Sequence, residues 1–135
     1  MRRKCATALL GVAALVASGC GAEDFPNDPR PAAAVELSAR IDNSGIALAP
    51  GSTGAGLATI TISNQSDEDV QLDFEGPSNE SNRSTNPIPA GGVSALKLAL
   101  EEGEYAIVPD VDSIPPGELT VGPDRPSAQN DLLLP

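Results

Sequence analysis

Apolar and polar residues alternate along most of the chain from about residue 33 to residue 122. In AVELSARID, Val35, Leu37, Ala39 and Ile41 fall on one face, with Glu36, Ser38 and Arg40 on the other. A period of two predicts a half-buried strand. DNSG at 42–45 reads as a turn, and Ile46 and Leu48 mark a short strand that stops at Pro50. GSTGAG at 51–56 reads as a flexible Gly-rich loop. LATITISN then sets Ala58, Ile60 and Ile62 inward, QSDED turns the chain, and VQLDFE sets Val70, Leu72 and Phe74 inward. The polar stretch 76–87, GPSNESNRSTNP, reads as a long exposed loop with the least order of any internal segment.

Strands resume at VSALKLALEE, where Leu96, Leu98 and Leu100 alternate with Lys97 and Ala99. Ala, Leu, Lys and Glu also favour helix, but AGG before the run and EEGEY after it bound it as a strand. EYAIVPD, closed by Pro109, and GELTVGP, with Leu119 and Val121, complete the set. The tail from Asp124 is polar until LLLP, which is expected to tuck against a sheet edge. About seven short strands, with turn signals roughly every 8–12 residues, predict an all-β fold, an antiparallel β-sandwich of Greek-key type. The immunoglobulin-like subclass is one expectation for it. No internal repeat is evident.

The start of the chain has a different character. Arg2, Arg3 and Lys4 form a basic cluster, and Ala6–Ser18 is an apolar run of 13 residues. A spanning helix needs roughly 20 apolar residues, so the run fits the apolar region of a secretory signal. It ends in the small residues Ala17, Ser18 and Gly19, followed by Cys20. Residues 21–31, GAEDFPNDPRP, hold three Pro and several turn-formers, which exclude a helix. An extended Pro-rich tether of this length spans roughly 30 Å. Phe25 is its one large apolar residue, expected against the domain or the lipid headgroups. The expected organisation is therefore 1–19 signal, 20–31 tether, 32–122 sandwich and 123–135 tail.

The stretch Ser18-Gly19-Cys20 resembles the lipobox of bacterial lipoproteins, departing from it at Ala17, where that family usually has Leu. The resemblance implies cleavage between Gly19 and Cys20 and a diacylglycerol thioether on the Cys20 sulfur, with acyl chains such as palmitate holding the protein on the extracytoplasmic face of the cell membrane. Stable anchoring takes two or more chains, each buried CH₂ contributing about 0.8 kcal/mol. An ordinary cleaved signal and an uncleaved anchor are the alternatives. Cys5 lies in the segment to be removed, so a mature chain keeps one sulfur and forms no internal disulfide.

Composition narrows the function classes. The chain has 8 basic and 19 acidic residues and no His. Loss of residues 1–19 removes three of the cations, leaving 5 basic against 19 acidic residues and a formal charge of −14. Such a surface repels nucleic acid and anionic headgroups, so no nucleic-acid partner is expected. Phe25, Phe74 and Tyr105 are the only aromatic residues. The core must therefore come from Val, Ile, Leu and Ala, which predicts modest stability.

GEYAIVPD at 103–110, following a Leu-rich strand, resembles the Gly-x-Tyr corner of cupredoxin-type sandwiches, and the resemblance spans roughly residues 33–122. It implies a cupredoxin-like fold. It implies no copper site, because Pro109 falls where the family has its ligand Cys, there is no His, and the only Met is Met1. The chain is also similar to small lipoproteins of high-GC bacteria, with the same layout of lipobox, tether and sandwich.

Other chemistry is weaker. Zinc and His-dependent nucleophilic catalysis fail for want of imidazole and free thiolate. Ser94-Ala95-Leu96-Lys97 fits Ser-x-x-Lys, but the Lys-Thr-Gly partner of such enzymes is missing. GSTGAG has no Lys and no following helix to cradle phosphate. Asn64, Asn79 and Asn82 head Asn-x-Ser triplets, which mean nothing in a bacterial host. The runs DED at 67–69 and DVD at 110–112 gather carboxylates in loops that calcium favours, yet without EF-hand spacing they read as solvated turns. The expected site set is thus Cys20 for lipidation and Gly19–Cys20 for cleavage, with no catalytic, cofactor or metal residue and no cofactor.

The functional expectation is a lipid-anchored, non-catalytic binding or interaction module, using loops 51–56, 76–87 and 110–117 at one end of the sandwich. The alternatives are an accessory subunit of a membrane complex or transporter, and a hydrolase using carboxylates such as Asp110 and Asp112.

Overall fold

The computed structural model describes residues 31–127. Eight strands follow one another in the order β1 (Val35–Asp42), β2 (Gly45–Ala49), β3 (Ser52–Asn64), β4 (Leu72–Glu75), β5 (Arg83–Ser84), β6 (Val93–Leu100), β7 (Gly103–Pro109) and β8 (Gly117–Asp124). Among the described residues no helix is long and apolar enough to cross a membrane. The alternation read from the sequence locates β1, β2, the second part of β3, β4, β6, β7 and β8, and VSALKLAL is a strand, as its bounding Gly residues predict; the short β5 falls inside the 76–87 stretch expected as a loop. The signal, Cys20, Phe25 and LLLP all lie outside the described residues.

The strands form two layers that share β3. One layer runs β2–β1–β3–β6, and the other β3–β8–β7–β4–β5. The pairing is mixed. β1 and the first part of β3's path beside β8 are both joined in parallel: Leu37 opposes Ile60, and Thr53 opposes Val121. The expectation of an antiparallel sandwich throughout is corrected on this point. Residue alternation reports which face is buried but not the direction of the neighbouring strand.

Strand β3 changes layers at Ala55–Gly56. Ala55 opposes Asp124 on β8, whereas Gly56 opposes Leu100 on β6. The Gly-rich run expected as a loop is thus the corner of a 13-residue strand. Sandwich corners are made where a strand crosses between sheets through a bend or bulge, and the register shifts here between Gly54 and Ala55. Gly56 has φ +124°, and a Cβ on it would lie 2.9 Å from an Arg125 terminal nitrogen. Only Gly serves at that point.

Arg125 fills the corner. Its Nε donates to Ala55 O (3.2 Å), and its terminal nitrogens donate to Ala33 O (2.7 Å) and Leu57 O (2.6 Å). One guanidinium therefore ties Ala33, just ahead of β1, to both sides of the corner and the end of β8. Strand β8 runs to Asp124. The described chain enters and leaves at the same pole.

The core lies between the layers. Leu37, Ile41, Ile60, Ile62, Leu98 and Leu100 from one layer meet Leu72, Phe74, Tyr105, Ile107, Leu119 and Val121 from the other. Tyr105 is 1% exposed, and its hydroxyl accepts the Glu101 N–H at 2.9 Å. This is the tyrosine corner that GEY predicts. Gly76 permits it, since a Cβ there would lie 2.5 Å from the Tyr105 ring.

Candidate functional site

The three loops expected to converge do not. The 51–56 segment is paired into β3 and ends at the Arg125 pole. The first part of 76–87 lies at that same pole, where Ser78 Oγ donates to Glu101 at 2.9 Å and Pro77 sits against Gly103. The 110–117 segment precedes β8, whose eight residues separate it from the Arg125 pole by roughly 25 Å of strand. The 76–87 segment is also more structured than its composition implies. Ser81 and Thr85 are buried, Thr85 Oγ1 accepts the Leu72 N–H at 3.0 Å, and Ser81 Oγ donates to Ser78 O at 2.7 Å.

What gathers with 110–116 instead is the acidic turn after β3. Asn43 Nδ2 donates to Asp67 (3.0 Å), and Ser113 Oγ donates to Glu68 (3.1 Å). Asp110 accepts the Gln71 N–H (2.8 Å), and Asp69 accepts the Ala90 N–H (3.1 Å). Asn43, Asp67, Glu68, Ser113 and Ile114 line a shallow depression of ≈ 240 Å³. Both acidic runs thus sit at the pole opposite Arg125 and the ends of the described chain, with Asp69 and Asp110 each holding a backbone N–H. Among the described residues no three His, Cys, Asp or Glu side chains gather as a metal site.

The turn at 42–45 belongs to the same pole. Ser44 donates to the Asp42 carboxylate through both Oγ and N–H (2.9 Å for the N–H). These bonds, the Oγ–H first, hold the Asp42 carboxyl below its ordinary value of 3.8, and Arg40, 3.1 Å away, adds to the effect.

A buried polar residue organises this pole, and the sequence reading saw it only as part of an Asn-x-Ser triplet. Asn64 is 0% exposed. Its Nδ2 donates to Glu68 O (2.8 Å) and Ile88 O (2.9 Å), and its Oδ1 accepts Ser66 N–H (3.0 Å) and Ser66 Oγ–H (2.7 Å). Its backbone pairs with Gly91 and Gly92. All four side-chain bonding positions are filled, as a buried amide requires. The signal was legible in principle: the inward series Ala58, Ile60, Ile62 continues onto Asn64. Arg125, assigned from sequence to a polar tail, was missed for want of any local pattern.

The residues do not fit copper of the cupredoxin kind. Pro109 closes β7 opposite Leu72, and Asp110 beside it is bonded to Gln71. Copper of that type takes imidazole and sulfur donors, and residues 31–127 contain neither His, Cys nor Met. The carboxylates of Asp110 and Asp112 are exposed.

No family model and no curated protein sequence matches the chain. Among solved structures it is similar to dithionite-reduced auracyanin from the photosynthetic bacterium Roseiflexus castenholzii, at 13% identity and TM-score 0.48, over 70% of this chain and 100% of that one. It is also similar to auracyanin B, at 16% identity and TM-score 0.47, over 71% and 93% of the two chains. A purple cupredoxin from Nitrosopumilus maritimus aligns at 14% identity and TM-score 0.40, over 65% and 99%. The two-layer all-β class itself follows from this chain's own strand pairing.

Proposed function

We propose that the protein is a lipid-anchored, non-catalytic interaction module of the extracytoplasmic membrane face, held through Cys20. The observation that supports this reading is the polarity of the domain. Arg125 fastens the end of β8 to Ala33 at the pole where the chain enters from the tether, while the acidic turns at 67–69 and 110–112 occupy the other pole. An anchor at Cys20 therefore presents the turns at 67–69 and 110–112 away from the lipid, while Glu101, Glu102 and Asp124 stay on the tether side. The acidic side chains that are bonded at this pole serve backbone, hydroxyl and Asn43 amide donors of the fold, which supports a contact surface over a carboxylate-pair hydrolase.

Mass spectrometry of the mature protein tests the anchor. The reading expects an amino terminus at Cys20 carrying diacylglycerol, and a Cys20→Ser variant released from membranes. An unmodified Cys20 thiol refutes it. Crosslinking from intact membranes tests the interaction role: a partner reproducibly joined through residues 42–44, 67–69 or 110–113 supports it, and partners joined only elsewhere overturn the assignment of this pole.

A further inference from the structure

The pole where the described chain enters and leaves carries an open groove. Pro31 and Ala32 of the entering chain, Gly56 and Leu57 of β3, and Asp124 and Arg125 at the end of β8 line a depression of ≈ 240 Å³. A small-molecule site is larger, roughly 300–1,000 Å³, so the groove suits a side chain better than a free ligand. Leu57 and Val93 are the exposed large hydrophobics among the described residues, at 53% and 67%. Val93 opposes Ser63, six residues along β3 from Leu57 and about 20 Å away. A single exposed Leu is ordinary on a protein surface. What sets Leu57 apart is the groove beside it and the guanidinium that shares that groove.

Arg125 has donors to spare. Three of its five N–H groups are taken by the carbonyls of Ala55, Ala33 and Leu57, and the others have no acceptor among the described residues. No carboxylate among those residues pairs with it: Asp124 beside it is exposed, and Asp42 pairs with Arg40. In the neighbouring row Glu36 and Lys97 flank Thr59 and offset each other. Glu101 and Glu102 follow Leu100 at the other edge of β3. The surroundings are therefore not generally positive, and it is the spare guanidinium donors that select a carboxylate. The groove fits a carboxylate placed next to an aliphatic side chain.

Two segments outside residues 31–127 offer an acid beside large apolar residues: Glu23-Asp24-Phe25, and Asp131 followed by Leu132, Leu133 and Leu134. Pro26, Pro29 and Pro31 follow the first. They predict an extended connection that sets Phe25 about 19 Å from Pro31, out of the groove. The second is joined to Arg125 through PSAQN. Six residues reach at most about 20 Å, and Ser127 and Asn130 are turn-formers, so this segment can double back to the groove it leaves. We propose that Asp131–Leu134 folds back on its own domain, Asp131 accepting the spare Arg125 donors and the leucines covering Leu57. The Arg125 clasp then holds the departing chain as well as the entering one.

Leucine- and valine-methyl NMR of the mature chain carrying Cys20→Ser tests this in the intact fold. Cross-relaxation peaks are expected between the Leu57 methyls and those of Leu132, Leu133 or Leu134. A chain ending at Ser127 is expected to shift the Leu57 methyl resonances and to leave those of Val93 in place. Asp131→Asn is expected to weaken the cross-peaks about twofold or more, since a charge-assisted bond is lost. The proposal is overturned if Leu57 shows no peak to the three leucines, if it contacts the Phe25 ring instead, or if Asp131→Asn leaves the peaks unchanged. It is overturned equally by peaks that arise only between differently labelled chains in a mixed sample, which mark a second copy in the groove.

Discussion

Asn64 offers the sharpest check on how the acidic pole is held. Replacing it by Ala removes two donated and two accepted hydrogen bonds in a site closed to water. The losses are unequal. Ile88 O keeps the Val70 N–H at 3.0 Å, and Glu68 O keeps Ser66 Oγ at 3.2 Å. The Ser66 N–H and hydroxyl lose their shared acceptor inside a residue only 5% exposed. At about 1 kcal/mol per net bond, and somewhat more for a buried group left unpaired, the cost is about 3 kcal/mol. With a urea m-value near 1.5 kcal/mol per molar, the midpoint falls by about 2 M. The chain has no Trp and one Tyr, so Tyr105 fluorescence reports the core, and far-ultraviolet circular dichroism supplies an independent probe. Asn64→Leu fills the volume without the bonds and is expected to fall by a similar amount, which separates hydrogen bonding from cavity formation. A midpoint shift below about 0.5 M for Asn64→Ala would show that the amide network contributes little, and the reasoning fails.

Three further outcomes are expected. Tyr105→Phe loses the bond from Glu101 N–H and should cost about 1 kcal/mol, seen as a fall of roughly 4–8 °C in Tm by calorimetry; an unchanged Tm would remove the corner as a stabilising contact. Arg125→Ala frees the carbonyls of Ala33, Ala55 and Leu57 and should cost about 2 kcal/mol, with faster amide exchange across Thr53–Ala58 by mass spectrometry; Arg125→Lys should restore little, because an ammonium lacks the planar fork. Asp42 titrates below 3.8 because Ser44 bonds its charged form, so its contribution to stability is present above that value and is lost as pH falls through the lowered one. Ser44→Ala should move the Asp42 carboxyl back toward 3.8 in a carbon-detected NMR titration, and an unmoved midpoint would assign the shift to another cause.

The inward residues of β1, β3, β4, β6, β7 and β8 were legible from period-two alternation alone, because a strand between core and water must sort its side chains by face. Tyr105 was legible from Gly-x-Tyr. Two kinds of feature were not. The partners of a strand depend on contacts far along the chain, so the parallel pairing of β1 with β3 and of β3 with β8 left no local trace. The Gly-rich stretch at 51–56 illustrates the same limit. Its composition permits a loop or a sharp strand corner, and only the neighbouring β8 and the Arg125 side chain select the corner.

Composition by itself determined that the body of this protein holds no imidazole or thiol donor within residues 31–127, that its charge is acidic, and that its core is mostly aliphatic around Phe74 and Tyr105. Those are properties of side-chain chemistry, which folding does not alter. Tertiary structure alone decided where particular groups stand: the acidic turns at 67–69 and 110–112 at one pole, and the ends of the described chain clasped by Arg125 at the other. Position in space is set by strand order and register, quantities that arise only when distant segments pair.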